Sequence, residues 1–316
     1  MNKSTLIAAL MAPALLFATS SCLSSDNNNK QESTLNYGGN QCFNMVTDSE
    51  TGDYFISPAP NYTFVLDLIN LQGTASMSGI KFGSNGSPLS FKLPAMPLTF
   101  DNKDYSYSLK GSLLTPEGVA EQYVFNNFNM RVVERTIQLP TGYVYAPIFD
   151  INFSVNGRYR FTAFPTAYFL LGDVMAHPTG ENASGEDYKS DDSVVAIALT
   201  ADKTDATKYT AALWIYNASF SENMSDMTIY AENLPVNITP YGFSIVTEEG
   251  EAIKVKDSAG EIKDCSFSNI KVSTSVPSGV TSLEFDADLK ALQPTKPIEP
   301  CHVSANLTYY YKTENN

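Results

Sequence analysis

The feature that most constrains the fold is a strict two-residue alternation of apolar and polar side chains near the C-terminus. Apolar residues occupy the odd positions between 302 and 311, and mostly polar residues occupy the even ones. A period of two puts successive side chains on opposite faces of a β-strand. Upstream, the apolar runs 151–155 and 158–164 flank Asn156-Gly157, a typical two-residue hairpin turn. The sequence therefore predicts an all-β protein built from antiparallel strands.

Two segments of the chain resemble each other and indicate an internal repeat. With an offset of 147 residues, Tyr62–Phe91 aligns with Tyr209–Ile238 without a gap, and seven of the 30 positions are identical. This period far exceeds the 20–50 residues of repeat arrays, so it favours two tandem β domains. The identical pairs are Tyr62/Tyr209, Thr63/Thr210, Leu66/Leu213, Asn70/Asn217, Met77/Met224, Ser78/Ser225 and Pro88/Pro235.

The polar composition of residues 173–192 indicates where the two domains separate. This stretch is acidic and has almost no apolar residue after Pro178, as expected of an exposed linker. It predicts one β domain at 41–172 and a second at 193–316. Strands of this length and spacing favour a β-sandwich in each domain, with a small barrel as the alternative. The tyrosine and asparagine of the repeat loosely resemble calycin-like lipoprotein domains, a resemblance that would imply the barrel.

The N-terminus has the features of a secretory signal. Lys3 precedes a 12-residue apolar run, Leu6–Phe17, and the small polar residues 18–21 follow it. Twelve residues of helix measure about 18 Å, which is too short to cross the roughly 30 Å hydrocarbon core. Residues 1–21 are therefore predicted to be a cleaved signal peptide.

Cys22 directly follows these small residues, and the junction resembles the lipobox of bacterial outer-membrane lipoproteins of the Bacteroidetes type. In that family Cys22 would become the lipidated first residue of the mature chain, and the following Leu23 would imply sorting to the outer membrane, on either face. Thr19 departs from the family, which usually has leucine there, and cleavage after Ser20 by an ordinary signal peptidase is the alternative. The low-complexity residues 22–40 are predicted to be a flexible tether.

Charge and motif content restrict the classes of function. The net charge of −14 argues against a nucleic-acid partner, which requires a basic surface. The sequence has none of the common nucleotide-binding, hydrolase or metal-binding motifs, and with two histidines it predicts no cofactor, no metal site and no catalytic residues. The leading prediction is an envelope-anchored binding protein for a glycan or a protein partner. The alternatives are an adhesin or fimbria-associated subunit and, more weakly, a glycan-processing enzyme.

Two aromatic residues of the second repeat form a candidate ligand or interface platform. Leu213 and Ile215 are expected to face the core, so Trp214 and Tyr216 would lie together on the outer face of the strand. Neighbouring aromatic rings on a sheet surface suit sugar stacking or a protein contact. Packing of this face against the other domain or under a loop is the alternative.

The remaining cysteines predict one disulfide. Cys42, Cys265 and Cys301 are left once Cys22 carries lipid. Cys265 and Cys301 both belong to the second domain and both fall on apolar strand faces, which favours a bridge between them in an oxidising envelope. Three buried reduced thiols are the alternative.

Overall fold

A computed structural model of the chain describes residues 32–117, 123–140, 142–180, 185–190, 192–275, 279–292 and 298–309. The predicted all-β class is confirmed, because 68% of the described residues lie in strands and none lies in an α-helix. The predicted signal peptide and Cys22 lie outside the described residues.

The chain forms two compact units. The first contains described residues up to Thr136 together with Val144–Thr166, and the second contains Ile137–Tyr143 and the chain from Ala167 onward.

Among the described residues, twelve strands precede Ala167. Ten of them form one antiparallel sheet in the order β1-β4-β5-β6-β7-β8-β11-β12-β2-β3, and β9 and β10 pair separately. A 3₁₀ turn, Gly39–Gln41, joins β1 to β2. The strands are β1 Glu32–Gly38, β2 Cys42–Asp48, β3 Tyr54–Pro58, β4 Asn61–Asp67, β5 Gln72–Ile80, β6 Leu89–Asp101, β7 Ser106–Leu114, β8 Phe125–Val133, β9 Thr136–Leu139, β10 Gly142–Tyr145, β11 Ile148–Val155 and β12 Tyr159–Pro165.

The ten-stranded sheet curls into a half-barrel around an aromatic core. The hairpin predicted around Asn156-Gly157 is confirmed as β11 and β12, and both residues have positive φ (55° and 67°). Val155 pairs with Tyr159, however, so the connection has three residues and not the predicted two. Within this core Phe153 stacks on Phe161 with ring centroids 4.8 Å apart, and Phe161 contacts Phe82 edge-to-face.

In the described part of the chain, eleven strands follow Thr166. A second 3₁₀ turn, Lys290–Leu292, follows β22. The strands are β13 Ala167–Leu171, β14 Val174–Pro178, β15 Tyr188–Ser190, β16 Val194–Ala201, β17 Tyr209–Ala218, β18 Met227–Thr239, β19 Gly242–Val246, β20 Ile253–Asp257, β21 Gly260–Ser275, β22 Val280–Asp288 and β23 Cys301–Tyr309.

Eight of these strands form a closed antiparallel barrel. Their order is β13-β16-β17-β18-β19-β21-β22-β23, and β23 closes the barrel by pairing with β13 through Leu170↔Tyr309 and Leu171↔Thr308. The alternation predicted for residues 302–308 is confirmed, since Val303, Ala305 and Leu307 are buried in β23. The second unit is thus the barrel alternative rather than the sandwich.

Two of the predicted boundaries are wrong. Residues 32–38 of the expected tether form β1, which pairs with β4 along its whole length. Within the expected linker 173–192, β14 pairs with β23 and with β15. Val174 and Ala176 of β14 are completely buried. The apolar–polar alternation that they form is too short to indicate a strand, and it lies within an acidic stretch. Short, charged strands are typical of sheet edges, and here they resemble a linker in composition.

The internal repeat is not confirmed. At the offset of 147 residues β4 coincides with the beginning of β17, but β5 falls on the loop Ser219–Asp226 and not on a strand.

Candidate functional site

A cleft of about 300 Å³ opens in the second unit. Four parts of the chain form it: the end of β14, the approach to β15, the loop between β17 and β18, and the approach to β23. Its volume lies at the lower end of the range of about 300–1,000 Å³ that is usual for small-molecule sites. The lining residues are Pro178, Glu186, Asp187, Tyr188, Phe220, Ser221, Glu222, Asn223, Glu299 and Cys301.

The cleft is acidic at its rim and apolar at its base. Four of the lining residues are exposed carboxylates, namely Glu186, Asp187, Glu222 and Glu299. The base contains Phe220 and Cys301, which are almost completely buried. Among the described lining residues there is neither lysine nor arginine, and the one basic side chain beside these carboxylates in the described structure is His177, next to Asp187. The arrangement can therefore accept a cation or a donor of several hydrogen bonds.

A hydrogen-bond network around Ser219 fixes one wall of the cleft. The Ser219 hydroxyl donates to the Met224 carbonyl over 2.9 Å, and it lies 3.1 Å from the Tyr188 hydroxyl. The Ser219 amide donates to the Ser190 hydroxyl over 3.1 Å. These bonds join the β17–β18 loop to β15, so the wall is formed before any ligand binds. The Ser221 hydroxyl beside them is buried and has no hydrogen-bond partner among the described residues.

The opposite wall is held by contacts between the end of β14 and the approach to β23. The amide and the hydroxyl of Thr179 both donate to the Pro300 carbonyl, over 2.7 and 3.1 Å. Next to this wall, Nδ1 of His177 lies 2.6 Å from a carboxylate oxygen of Asp187. Asp187 is thereby oriented at the rim.

The thiol at the base of the cleft lacks the lowered pKa of a reactive cysteine. Burial, together with the charges of Asp286 and Asp288, raises the pKa of Cys301 to about 12. A reactive cysteine requires a lowered pKa, because the thiolate is the attacking species. Cys301 therefore acts as a small apolar residue.

Trp214 and Tyr216 of the candidate platform share one face of β17. Leu213 and Ile215 are fully buried on the opposite face. Trp214 stacks on Tyr230 of β18 with ring centroids 3.8 Å apart and lies 6.2 Å from Tyr216. Tyr216 is only 1% exposed, and burial raises the pKa of its phenol. The pair thus presents one partly exposed ring and not an open platform of two.

The predicted disulfide between Cys265 and Cys301 is absent, because both cysteines, like Cys42, are free and buried. Cys265 lies on β21 and Cys301 on β23, and β22 lies between these strands. Two strand spacings separate the Cα atoms by at least about 9 Å. A disulfide requires less than about 7 Å, so these residues cannot be bridged without displacing β22.

We expect alkylation of the denatured, unreduced mature chain to add three groups, one each at Cys42, Cys265 and Cys301. All three thiols are protected only by burial, and denaturation exposes them. Intact mass spectrometry measures the number of adducts, and a reduced sample is the control and should give the same mass. A single adduct that rises to three after reduction would restore the disulfide.

The sequence alone does not reveal the cleft. Glu186 and Asp187 lie in the stretch that resembled a linker, and the strand pairings that bring Glu222 and Glu299 beside them join distant parts of the chain. The detectable signal was the excess of acidic residues between 173 and 192.

In the part of the chain that the structure describes, no group of three or more His, Cys, Asp or Glu side chains is arranged to hold a metal ion. The same residues include no helix long and apolar enough to cross a bilayer. Comparisons with protein-family models, curated proteins and solved structures find no match to this chain.

Proposed function

We propose that the chain is a lipoprotein of the bacterial envelope, anchored in the outer membrane through Cys22, and that its cleft binds a positively charged group of a partner protein. Binding involves no chemical step in this proposal. The lipobox-like junction at Cys22 supports the anchor, and the acidic cleft of the second unit supports the binding site.

The observation that carries the binding proposal is the convergence of four exposed carboxylates on one preformed cleft. One ion pair at 4 Å is worth about 1 kcal/mol in water and about 4 kcal/mol near a protein surface. An ammonium or guanidinium group in the cleft would be attracted by each carboxylate that it approaches. Because hydrogen bonds already fix the walls, little ordering would oppose binding.

The geometry favours a cationic group over a sugar. A sugar would also use the carboxylates as hydrogen-bond acceptors, but it usually stacks on an exposed aromatic face. In the cleft Phe220 is almost completely buried, and Tyr188 is only partly exposed, with its hydroxyl beside Ser219.

We expect a short lysine-rich peptide to bind the protein, and the double substitution Glu222→Gln and Glu299→Gln to weaken binding about tenfold, which equals about 1.4 kcal/mol. Isothermal titration measures the affinity. High salt should weaken binding further, because the rim is exposed and its charges are screened.

The matched control is Glu251→Gln with Glu284→Gln, which removes the same charge from exposed positions of the same unit outside the cleft. This control should bind the peptide like the wild type. Equal weakening by both double variants, or equal binding of a fully acetylated peptide, would show that the cleft does not select the cation. A different outcome is that the protein binds a sugar on a glycan array and loses this binding in the Glu222→Gln variant. This result would show that the ligand of the cleft is a sugar and not a protein.

A further inference from the structure

Two neighbouring hairpin turns of the first unit expose large apolar side chains side by side. One turn connects β4 to β5, the other connects β6 to β7, and the Leu98 amide joins them by donating to the Leu71 carbonyl over 2.9 Å. We call the exposed residues Ile69, Leu71, Phe100 and Tyr105 the apolar tip. Their exposure ranges from 44% for Phe100 to 68% for Tyr105.

The apolar tip is built on a constrained backbone. Leu71 and Tyr105 have φ values of 51° and 58°, a region that bulky side chains rarely adopt. Asp67 fixes the first turn by accepting hydrogen bonds from the amides of Ile69 and Asn70, over 3.0 and 2.9 Å. Strained residues of this kind often lie at contact surfaces, and here two of them hold apolar side chains in solvent.

The apolar tip packs on residues that contact the core of the unit. Tyr107 packs against the core and lies 5.0 Å from the Phe100 ring, which in turn lies 6.3 Å from the Tyr105 ring. Leu68 of the first turn also packs against the core. The exposed side chains are therefore supported from beneath.

The tip lies at the end of the unit where the chain enters. Glu32, the first residue of β1, pairs with Asp67, directly before the first turn. The ten residue-to-residue steps from Cys22 to Glu32 can span at most about 35 Å.

Thr166, the last residue of the first unit, lies near the opposite end of β1. Thr166 donates hydrogen bonds from its amide to the Gln41 carbonyl and from its hydroxyl to the Asn40 carbonyl, over 2.9 and 2.8 Å. These partners follow β1, whose seven residues extend for about 20 Å. Glu32 and Thr166 therefore lie at different ends of β1, and the tip lies at the end of Glu32.

We propose that the apolar tip docks on the bilayer in which Cys22 is anchored and so sets the orientation of the first unit on the membrane. This inference rests on the lipid anchor of the proposed function. Apolar and aromatic side chains on a short, fixed projection suit the boundary between headgroups and acyl chains, where tyrosine is enriched. A single lipid chain binds a membrane weakly, and a second contact, made by the protein itself, strengthens the binding.

The docking is apolar in character and not electrostatic. The charged residues of the two turns are Asp67, Asp101, Lys103 and Asp104, and two arginines, Arg131 and Arg135, both bond to Asp104, so acidic and basic side chains are balanced there. A polybasic patch is thus missing from these turns, and we expect docking on uncharged lipids that high salt does not reverse.

The test places a single fluorescent reporter in the full, lipidated chain. Trp214→Phe removes the native tryptophan, and Tyr105→Trp then puts the reporter in the tip. The matched control is Tyr241→Trp in the same background, because Tyr241 is 75% exposed in the second unit. The vesicles contain phosphatidylethanolamine, phosphatidylcholine and brominated phosphatidylcholine, which quenches only rings that enter the bilayer.

We expect brominated lipid to reduce the emission of the Tyr105→Trp reporter about twofold and to leave that of Tyr241→Trp unchanged. Adding Ile69→Asn and Leu71→Asn should abolish the quenching without unfolding the unit, because asparagine tolerates positive φ better than leucine does.

The remaining outcomes separate the two proposals. If the chain sediments with the vesicles but the two reporters are quenched equally, the docking is wrong and the anchor stands. An unquenched tip on sedimented protein would mean that it contacts something other than lipid. If the wild type, like a Cys22→Ser control, does not sediment with vesicles, both the anchor and the docking are wrong.

Discussion

Removal of residues 167–192 is expected to abolish folding of the second unit, whereas a fragment of residues 167–316 should unfold cooperatively. The shorter fragment, 193–316, is the domain that the composition of the sequence predicts. It lacks β13, β14 and β15.

The reason for the difference is that β13 closes the barrel. It pairs with β16 on one side and with β23 on the other, so its loss leaves two open edges. Tyr168 and Leu170 of β13 are fully buried. Their loss together costs about 5–10 kcal/mol, comparable to the whole stability of about 5–15 kcal/mol of a typical domain.

Denaturant unfolding followed by Trp214 fluorescence measures this effect, because Trp214 is the single tryptophan of the chain and lies in β17. The 167–316 fragment should give a sigmoidal transition, and the 193–316 fragment should give none. Equal cooperativity of the two fragments would show that β13 is dispensable. If neither fragment folded, a boundary after Thr166 would be wrong, and residues 137–143 would be needed.

Local patterns in the sequence predict strands well because a strand needs only its own residues to reveal its period. The Asn156-Gly157 hairpin and the alternation of β23 depend on side chains within a few positions of one another. Both are found where the pattern places them. The order of strands is different, because closing the barrel pairs Leu170 with Tyr309, and no local pattern encodes that contact.

The errors of interpretation have the same origin. The faces of Cys265 and Cys301 were inferred correctly as buried, but the sequence does not show that β22 separates them. Alternation places Tyr216 on the face of β17 opposite to Leu213 and Ile215, yet burial of that face depends on what packs against it. Strand periodicity predicts which face of the sheet a side chain lies on, but it does not predict which residues of other strands lie beside it. The cleft, which is formed by distant parts of the chain, could therefore not be predicted.

The substitution Phe161→Ala is expected to destabilise the first unit by about 3–5 kcal/mol, the usual cost of removing a buried phenylalanine ring. Phe161 is fully buried in β12. Its ring contacts Phe153 at 4.8 Å and Phe82 at 5.6 Å, so truncation leaves a cavity between two other rings. These rings are held by different strands and loops, which limits how far the core can collapse into the space.

Differential scanning calorimetry measures the change, and a loss of this size corresponds to a decrease of about 10 °C in the Tm of a unit of this length. Phe100→Ala is the matched control: it removes the same ring from a strand of the same unit, but at a position that is 44% exposed. We expect this control to cost less than about 1 kcal/mol, because most of the ring already contacts water. The ratio of the stability lost in Phe161→Ala to that lost in Phe100→Ala therefore distinguishes a core ring from a ring that is available for an external contact. Equal losses would show that Phe100 is part of the packed core, and the apolar tip would then have no free surface to offer.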